Sequence, residues 1–428
     1  MATDCQTGLF DDTATVDDRS GSFTDNMRLP IHRWFRYSAG FSAAWADAEI
    51  RKAQMTTREV RVLDPFAGSG TTLICAQQAA VPSFGVEAHP FVIRVARAKI
   101  NCGAADPEDF LRRIREAIQQ AETNRRLVVT LPDLLTKCFS PSVLSFLMAI
   151  RTAVRKQEDG SVESELVWLA LVSILRSVSH VGTAPWQYIL PNKSKSRSLD
   201  PAAALSAMAQ MMVMDMTHVR RDAERSVLLA SDARTCEGVP DGFATLVLTS
   251  PPYANNYDYA DATRLEMTFL GDIGGWSDLQ ESVRQYLIRS CSQHVTERNT
   301  DLNSVLNSPA LAPISGELRP ICETLGEVRL LKGGKKNYHL MAACYFADMA
   351  SVWIALRRVT TPDAKVCFVL GDSAPYGVYL PVVEWMGALA EAAGFSGWSF
   401  EKLRDRNLKW KNRKHRVPLM EGRLWVNS

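Results

Sequence analysis

The residues Asp64-Pro-Phe-Ala-Gly-Ser-Gly-Thr-Thr72 follow the apolar run VRVLD (60–64) and lead into a helical pattern over about 71–80. A buried strand that turns through glycines straight into a helix commits the chain to a β-loop-α unit. The unit repeats in PSFGVE (82–87) and a second helical pattern over 91–100. That order predicts a parallel sheet with helical crossovers. Gly68 and Gly70 permit a tight turn and let a ligand approach the backbone. No Lys-Ser/Thr pair follows them, which excludes a P-loop, and Leu73 stands where a dinucleotide fingerprint has its third glycine. A carboxylate at the strand tip, Asp64, would repel a pyrophosphate but suit a ligand carrying an ammonium and a sulfonium. Glu87, 17 residues after Gly70, ends the second strand, where an acid can accept hydrogen bonds from ribose hydroxyls.

A second motif lies about 180 residues downstream, where the strand pattern TLVLTS runs into Thr249-Ser250-Pro251-Pro252-Tyr253. Two successive prolines donate no backbone hydrogen bond and keep the chain extended as it leaves the sheet. The Pro251 carbonyl is then left to accept, with the Ser250 hydroxyl as a second acceptor beside it. Two acceptors on the N–H bonds of an exocyclic base amine favour pyramidal nitrogen and aim its lone pair at a methyl group. Such catalysis is orientational and electrostatic and needs no strong base. Tyr253 can stack on a base extruded from a duplex.

Together the two strings resemble the D-P-F-x-G-S-G-T and S/D/N-P-P-Y/F/W motifs of S-adenosyl-L-methionine-dependent DNA amino-methyltransferases. The resemblance covers roughly 30–103, 226–268 and 341–428. It implies a methyltransferase-type Rossmann fold of class α/β: about seven strands, mostly parallel, the last antiparallel. It also implies that Asp64, Phe66, Gly68, Gly70 and Thr71 hold S-adenosyl-L-methionine, that Glu87 takes the ribose, and that Asp232 (in LASDA, 229–233) is the acid near the adenine amino group. Ser250, Pro251, Pro252 and Tyr253 would be catalytic. The segment IHRWFRYSAGFS (31–42) is similar to the one that closes over the methionine end, with no roles assigned to its individual aromatics. Asn255, Tyr257, Asp258 and Tyr259 are candidates for the base pocket, against a helix cap as the plainer reading. Serine before the prolines is commoner among cytosine-N4 enzymes, so N4 of cytosine is favoured over N6 of adenine. An RNA guanine-N2 methyltransferase and a non-catalytic subunit are the remaining alternatives.

The pattern divides into 1–26 (an acidic, disordered start), 27–103, 226–269 and 341–428 (the core), and two inserted stretches. The first, 104–225, is largely helical; the second, 270–340, is mixed. Either is a candidate for DNA recognition. Net charge is only +2, but basic residues cluster. Residues 404–416 hold seven Lys or Arg against one Asp, including Lys409, Lys411, Arg413 and Lys414. Lys193 with Lys195, and Lys335 with Lys336 beside Gly333 and Gly334, form two more groups that suit DNA phosphates. Nine cysteines without paired spacing read as free thiols of a reducing cytoplasm, and no metal-ligand pattern occurs. The longest apolar run, 166–175, is too short for a membrane span. Double-stranded DNA is therefore the expected partner, in the cytoplasm at the nucleoid. No endonuclease motif of the P-D…(D/E)-x-K type stands out, so a restriction partner would be a separate chain.

Overall fold

The computed structural model describes residues 23–37, 40–57, 59–125, 131–184, 187–220, 226–254, 257–298, 300–406 and 418–428. Among them run nine strands: β1 (Val62–Asp64), β2 (Ser83–Glu87), β3 (Val181–Thr183), β4 (Ile189–Ser194), β5 (Val227–Ala230), β6 (Ala244–Thr249), β7 (Thr360–Gly371), β8 (Gly397–Arg406) and β9 (Leu419–Asn427). Seven make one sheet in the order β5-β2-β1-β6-β7-β9-β8, and β3 pairs with β4 apart from it. The strands from β5 to β7 are parallel, and β9 is antiparallel to both neighbours. This is the α/β Rossmann sheet expected of a methyltransferase, with its antiparallel last strand. The chain winds outward from β1 through β2 to β5, then returns to lay β6 on the other side of β1. That reversal opens a crevice at the carboxyl ends of β1 and β6.

Local chemistry explains the elements. β1 is buried along its whole length. Gly85 lies opposite Asp64 in β2, and a Cβ there would stand 2.7 Å from Leu73 and 3.0 Å from Ala67. Its hydrogen lets the helix Thr71–Gln78 settle on the sheet, a common reason for glycine inside a strand. β8 has no counterpart among the strands read from sequence. Its residues GWSFEKLRDR are largely polar because it is the sheet edge, where charge guards unpaired backbone groups.

Between β2 and β5 the helices Pro107–Thr123, Pro141–Lys156, Val162–Val178 and Pro201–Met216 pack into a shared core. Phe110, Ile114, Ala117 and Ala121 recur at helical spacing on the buried side of the first. Met212 and Met216 are buried as core filler, whereas Met214 is exposed. The helix Tyr338–Val359 is longer than the apolar run 166–175 and is apolar enough to cross a membrane, but 83% of that apolar window is buried inside the fold. It is the core helix beneath the second inserted stretch. All eight described cysteines are free thiols.

One buried ion pair joins the first inserted bundle to the chain beyond the Pro-Pro motif. Arg176 donates to both carboxylate oxygens of the fully buried Glu266, at 2.6 and 3.0 Å, and to the carbonyls of Gln187 and Ala262. Removing one partner strands a charge away from water. Glu266→Ala is therefore expected to cost about 3–5 kcal/mol in chemical denaturation. A loss below about 1 kcal/mol would mean that solvent reaches Arg176.

Candidate active site

The carboxyl ends of four adjacent strands assemble the site. Asp232 follows β5, Glu87 ends β2, the glycine turn follows β1, and Ser250 follows β6. They edge a cleft enclosing about 770 Å³, its open mouth included. Phe66, Gly68, Thr71, Glu87, Asp232, Ser250 and Pro252 all line it. So do Tyr37, Gly40 and Phe41 from the segment ahead of β1, and Tyr286, Leu287 and Ile288 from the second inserted stretch.

Asp64 and Gly70 are not among the lining residues. Asp64 is buried and accepts three hydrogen bonds from the protein itself: the Thr72 hydroxyl at 2.6 Å, the Thr249 hydroxyl at 2.5 Å and the Phe66 amide at 3.0 Å. It braces the turn from behind instead of facing a ligand cation. Burial pushes its carboxyl up to about 6, and the three donors hold it from rising further. Gly70 sits in the left-handed region (φ 90°) as the residue before the helix Thr71–Gln78. Its role is the turn itself. Gly68 is the glycine that a ligand would meet: φ is +51°, and a Cβ would stand 3.2 Å from the Tyr37 ring.

Glu87 accepts the backbone N–H groups of Gly68 (2.8 Å) and His89 (2.7 Å), which aims its carboxylate along the cleft floor. Burial raises its carboxyl to about 7; the two amides oppose that rise and the nearby Asp64 adds to it. Asp232 is oriented by Arg234, which donates through Nε at 2.8 and 3.0 Å and continues to Asp348. Asp348 in turn holds Arg289 from the second inserted stretch.

The Pro-Pro segment is pinned by its carbonyls. The Tyr345 hydroxyl donates to Pro252 O at 2.9 Å and the Ser373 hydroxyl to Ala254 O at 2.6 Å. Among the described residues nothing donates to the Pro251 carbonyl just ahead of them, although Pro251 and Tyr253 are not among the residues that line the cleft. The Ser250 hydroxyl gives its proton to Val369 O at 3.1 Å, so its oxygen can only accept from other groups, and the Tyr253 side chain lies beside it. The Arg406 guanidinium lies 5.2 Å from the centre of the Tyr253 ring and is itself held by the Asp372 carbonyl at 2.9 Å. Gly371 lies against both the neighbouring strand and this side chain: a Cβ there would stand 2.8 Å from the Met420 carbonyl and 3.2 Å from the guanidinium.

Asp258 caps the helix Tyr259–Ala262 and also forms a buried pair with Arg284 at 2.7 Å. Its amide donates to the Tyr188 hydroxyl at 2.6 Å, so both inserted stretches grip this loop. Tyr257 stacks on Tyr188 and meets Tyr259 edge-on, and Tyr259 lines the cleft. Asn255 lies outside the described residues, as do Lys409, Lys411, Arg413 and Lys414. Lys193, Lys335 and Lys336 are exposed. Lys195 is committed within the fold, donating to the carbonyls of Arg176 and Ser177 at the end of the helix Val162–Val178. Sequence reasoning missed His89 and the Tyr286–Ile288 wall, and it placed Arg406 only within the basic segment 404–416, not beside Tyr253. Tyr37, Gly40 and Phe41 carried a signal through the segment 31–42.

Across 408 residues the chain is 26% identical to the Type II methyltransferase M.AvaI of Nostoc sp. (strain PCC 7120 / SAG 25.82 / UTEX 2576), covering 88% of this chain and 81% of that protein. M.AvaI of Anabaena variabilis matches with the same figures. The Type II methyltransferase M.BsoBI of Geobacillus stearothermophilus is 22% identical over 438 residues, covering 93% and 85%. The chain is thus similar, over most of its length, to Type II methyltransferases. No protein-family profile and no solved structure matches it. The 93% span is too long to leave out either inserted stretch, so most of both belongs to the length shared with M.BsoBI.

Thr249→Val takes one donor from the buried Asp64 carboxylate and is expected to cost about 1–3 kcal/mol at pH 8. Because Asp64 is raised above its unfolded value, its burial weakens the fold as pH climbs from about 4 through about 6. The donor offsets that loss only for the ionised form. The deficit of the variant should therefore shrink below pH 5, as denaturation at the two pH values would measure.

Proposed function

We propose that this protein transfers a methyl group from S-adenosyl-L-methionine to the exocyclic amine of a base in double-stranded DNA, N4 of cytosine. The observation that carries the reading is where the segment leaving β6 stands: Ser250 and Pro252 line the acid-lined cleft, the Ser250 hydroxyl turns its proton away to Val369, and the Pro251 carbonyl beside them has no donor among the described residues. Kinship with Type II methyltransferases supports it. So does the serine ahead of the two prolines, which also favours cytosine.

The cleft residues fit the cofactor. Gly68 keeps its wall open where a side chain would intrude on Tyr37, and two acids stand on adjacent strands where hydroxyl and amino groups need acceptors. Phe66, Gly68 and Thr71 would hold the methionine side, Glu87 the ribose and Asp232 the adenine amino group. When bound, the cofactor supplies an electrophilic methyl on a sulfonium. Pro251 O and Ser250 Oγ accept the two N–H bonds of the amine and orient its lone pair, and Tyr253 stacks on the flipped base. Restriction-modification is the setting this reading assigns, with any endonuclease on a separate chain and the nucleoid as the workplace.

Calorimetry with S-adenosylhomocysteine tests the cofactor reading. Glu87→Ala should lose about 1.5–3 kcal/mol of binding. Wild-type affinity should rise as pH climbs through about 7, since only the ionised carboxylate accepts both ribose hydroxyls, and Glu87→Gln should lack that rise. Unchanged affinity in both variants would end the assignment.

Mass spectrometry of nucleosides from treated DNA tests the chemistry. N4-methylcytosine is expected; N6-methyladenine alone would overturn the base assignment, and no methylated nucleoside would overturn the activity. Ser250→Ala should lower turnover without changing cofactor affinity. Tyr253→Ala should weaken capture of the base by the ~1–3 kcal/mol of one stacking contact.

A further inference from the structure

The helix Ser315–Leu331 buries Leu318, Cys322 and Leu325, spaced four and three residues apart, against the helix Tyr338–Val359. Leu330 and Leu331 fall off that stripe and are 73% and 84% exposed. Two adjacent leucines held out in water at a helix end call for an occupant. The turn that follows bends through Gly333 and Gly334, both at positive φ, and carries Lys332, Lys335 and Lys336 exposed. Among the described residues no carboxylate pairs with these lysines.

Topology sets where this tip stands. The helix Tyr338–Val359 runs directly into β7 at Thr360, and Thr360 lies beside Ala244, at the start of β6. The end of the helix therefore sits at the amino edge of the parallel strands, and its beginning returns to the carboxyl edge, where the Pro-Pro motif is. Tyr345 marks the level, since its hydroxyl touches Pro252 O. Tyr338 is seven residues earlier, about 10 Å further out at 1.5 Å per residue. The leucine–lysine turn thus projects beyond the catalytic motif, past the carboxyl edge of the parallel strands.

We propose that Leu330 and Leu331 form a wedge that enters the base stack of duplex DNA beside the target, while Lys332, Lys335 and Lys336 hold the flanking phosphates. Apolar side chains between base steps lower the cost of unstacking, and a basic rim supplies the attraction that brings them there. The proposal rests on the methyltransferase reading and assigns to the second inserted stretch the work of opening the helix.

The test uses a duplex oligonucleotide carrying a site that the wild-type protein methylates in plasmid DNA. A matched duplex has the base opposite the target changed so that the target is unpaired. Leu330→Ser/Leu331→Ser should methylate the paired duplex about tenfold or more slowly, yet methylate the mispaired one at close to the wild-type rate. Its affinity for S-adenosylhomocysteine should be unchanged, which excludes misfolding. Equal rates for variant and wild type on the paired duplex, or an equal loss on both duplexes, overturns the wedge. A dimer turned monomeric by the variant would overturn it too and assign the leucines to a contact between copies. Wild-type protein inactive on every DNA would instead remove the methyltransferase reading itself, and the wedge with it.

Discussion

A buried carboxylate organises the site without touching what the site binds. Asp64 gathers the hydroxyls of Thr72 and Thr249 and the amide of Phe66. Those three groups belong to the helix after β1, the end of β6 and the glycine turn. The carboxylate thereby locks the turn that forms the cleft wall to the strand that delivers Ser250 and the prolines. A buried acid with fewer donors would be costly, and its raised carboxyl shows that even three leave some cost unmet. Its presence at the meeting of three elements makes the relative placement of the two motifs a property of the sheet.

Around this centre, the two inserted stretches act as braces. Tyr188 from the first and Arg284 from the second both hold Asp258, and Arg176 holds Glu266 further along the same stretch of chain. Asp348 on the core helix couples Arg234, and through it Asp232, to Arg289. The segment after the Pro-Pro motif is therefore fixed from both sides, while the cleft remains open between them. Preorganisation of this kind is what catalysis by fixed acceptors requires, because a hydrogen-bond acceptor that must first be oriented contributes little.

The parallel core was readable from the sequence because its signals are local. Glycines at 68 and 70, prolines at 251 and 252 and the apolar runs before them restrict the backbone wherever they occur. β8 was not readable, since an edge strand carries polar residues and looks like a loop. Asp64 was read as a ligand-facing acid because its position at a strand tip is visible in sequence, whereas its three partners are not. Thr249 lies 185 residues away and meets it only once β6 returns beside β1.

By itself, the sequence determined the strand-turn-helix unit, the rigid Pro-Pro exit from β6 and hence the kind of sheet and chemistry to expect. Each of these follows from the allowed dihedrals of a few neighbouring residues. Tertiary structure alone decided which residues face the cleft and which support it. It moved Asp64 and Gly70 behind the wall, brought Tyr286 from an inserted stretch to line it, and laid Arg406 beside Tyr253. Those outcomes depend on the order in which strands lie side by side. That order is set by burying the helices against both faces of one sheet, a condition on the whole chain that no local pattern records.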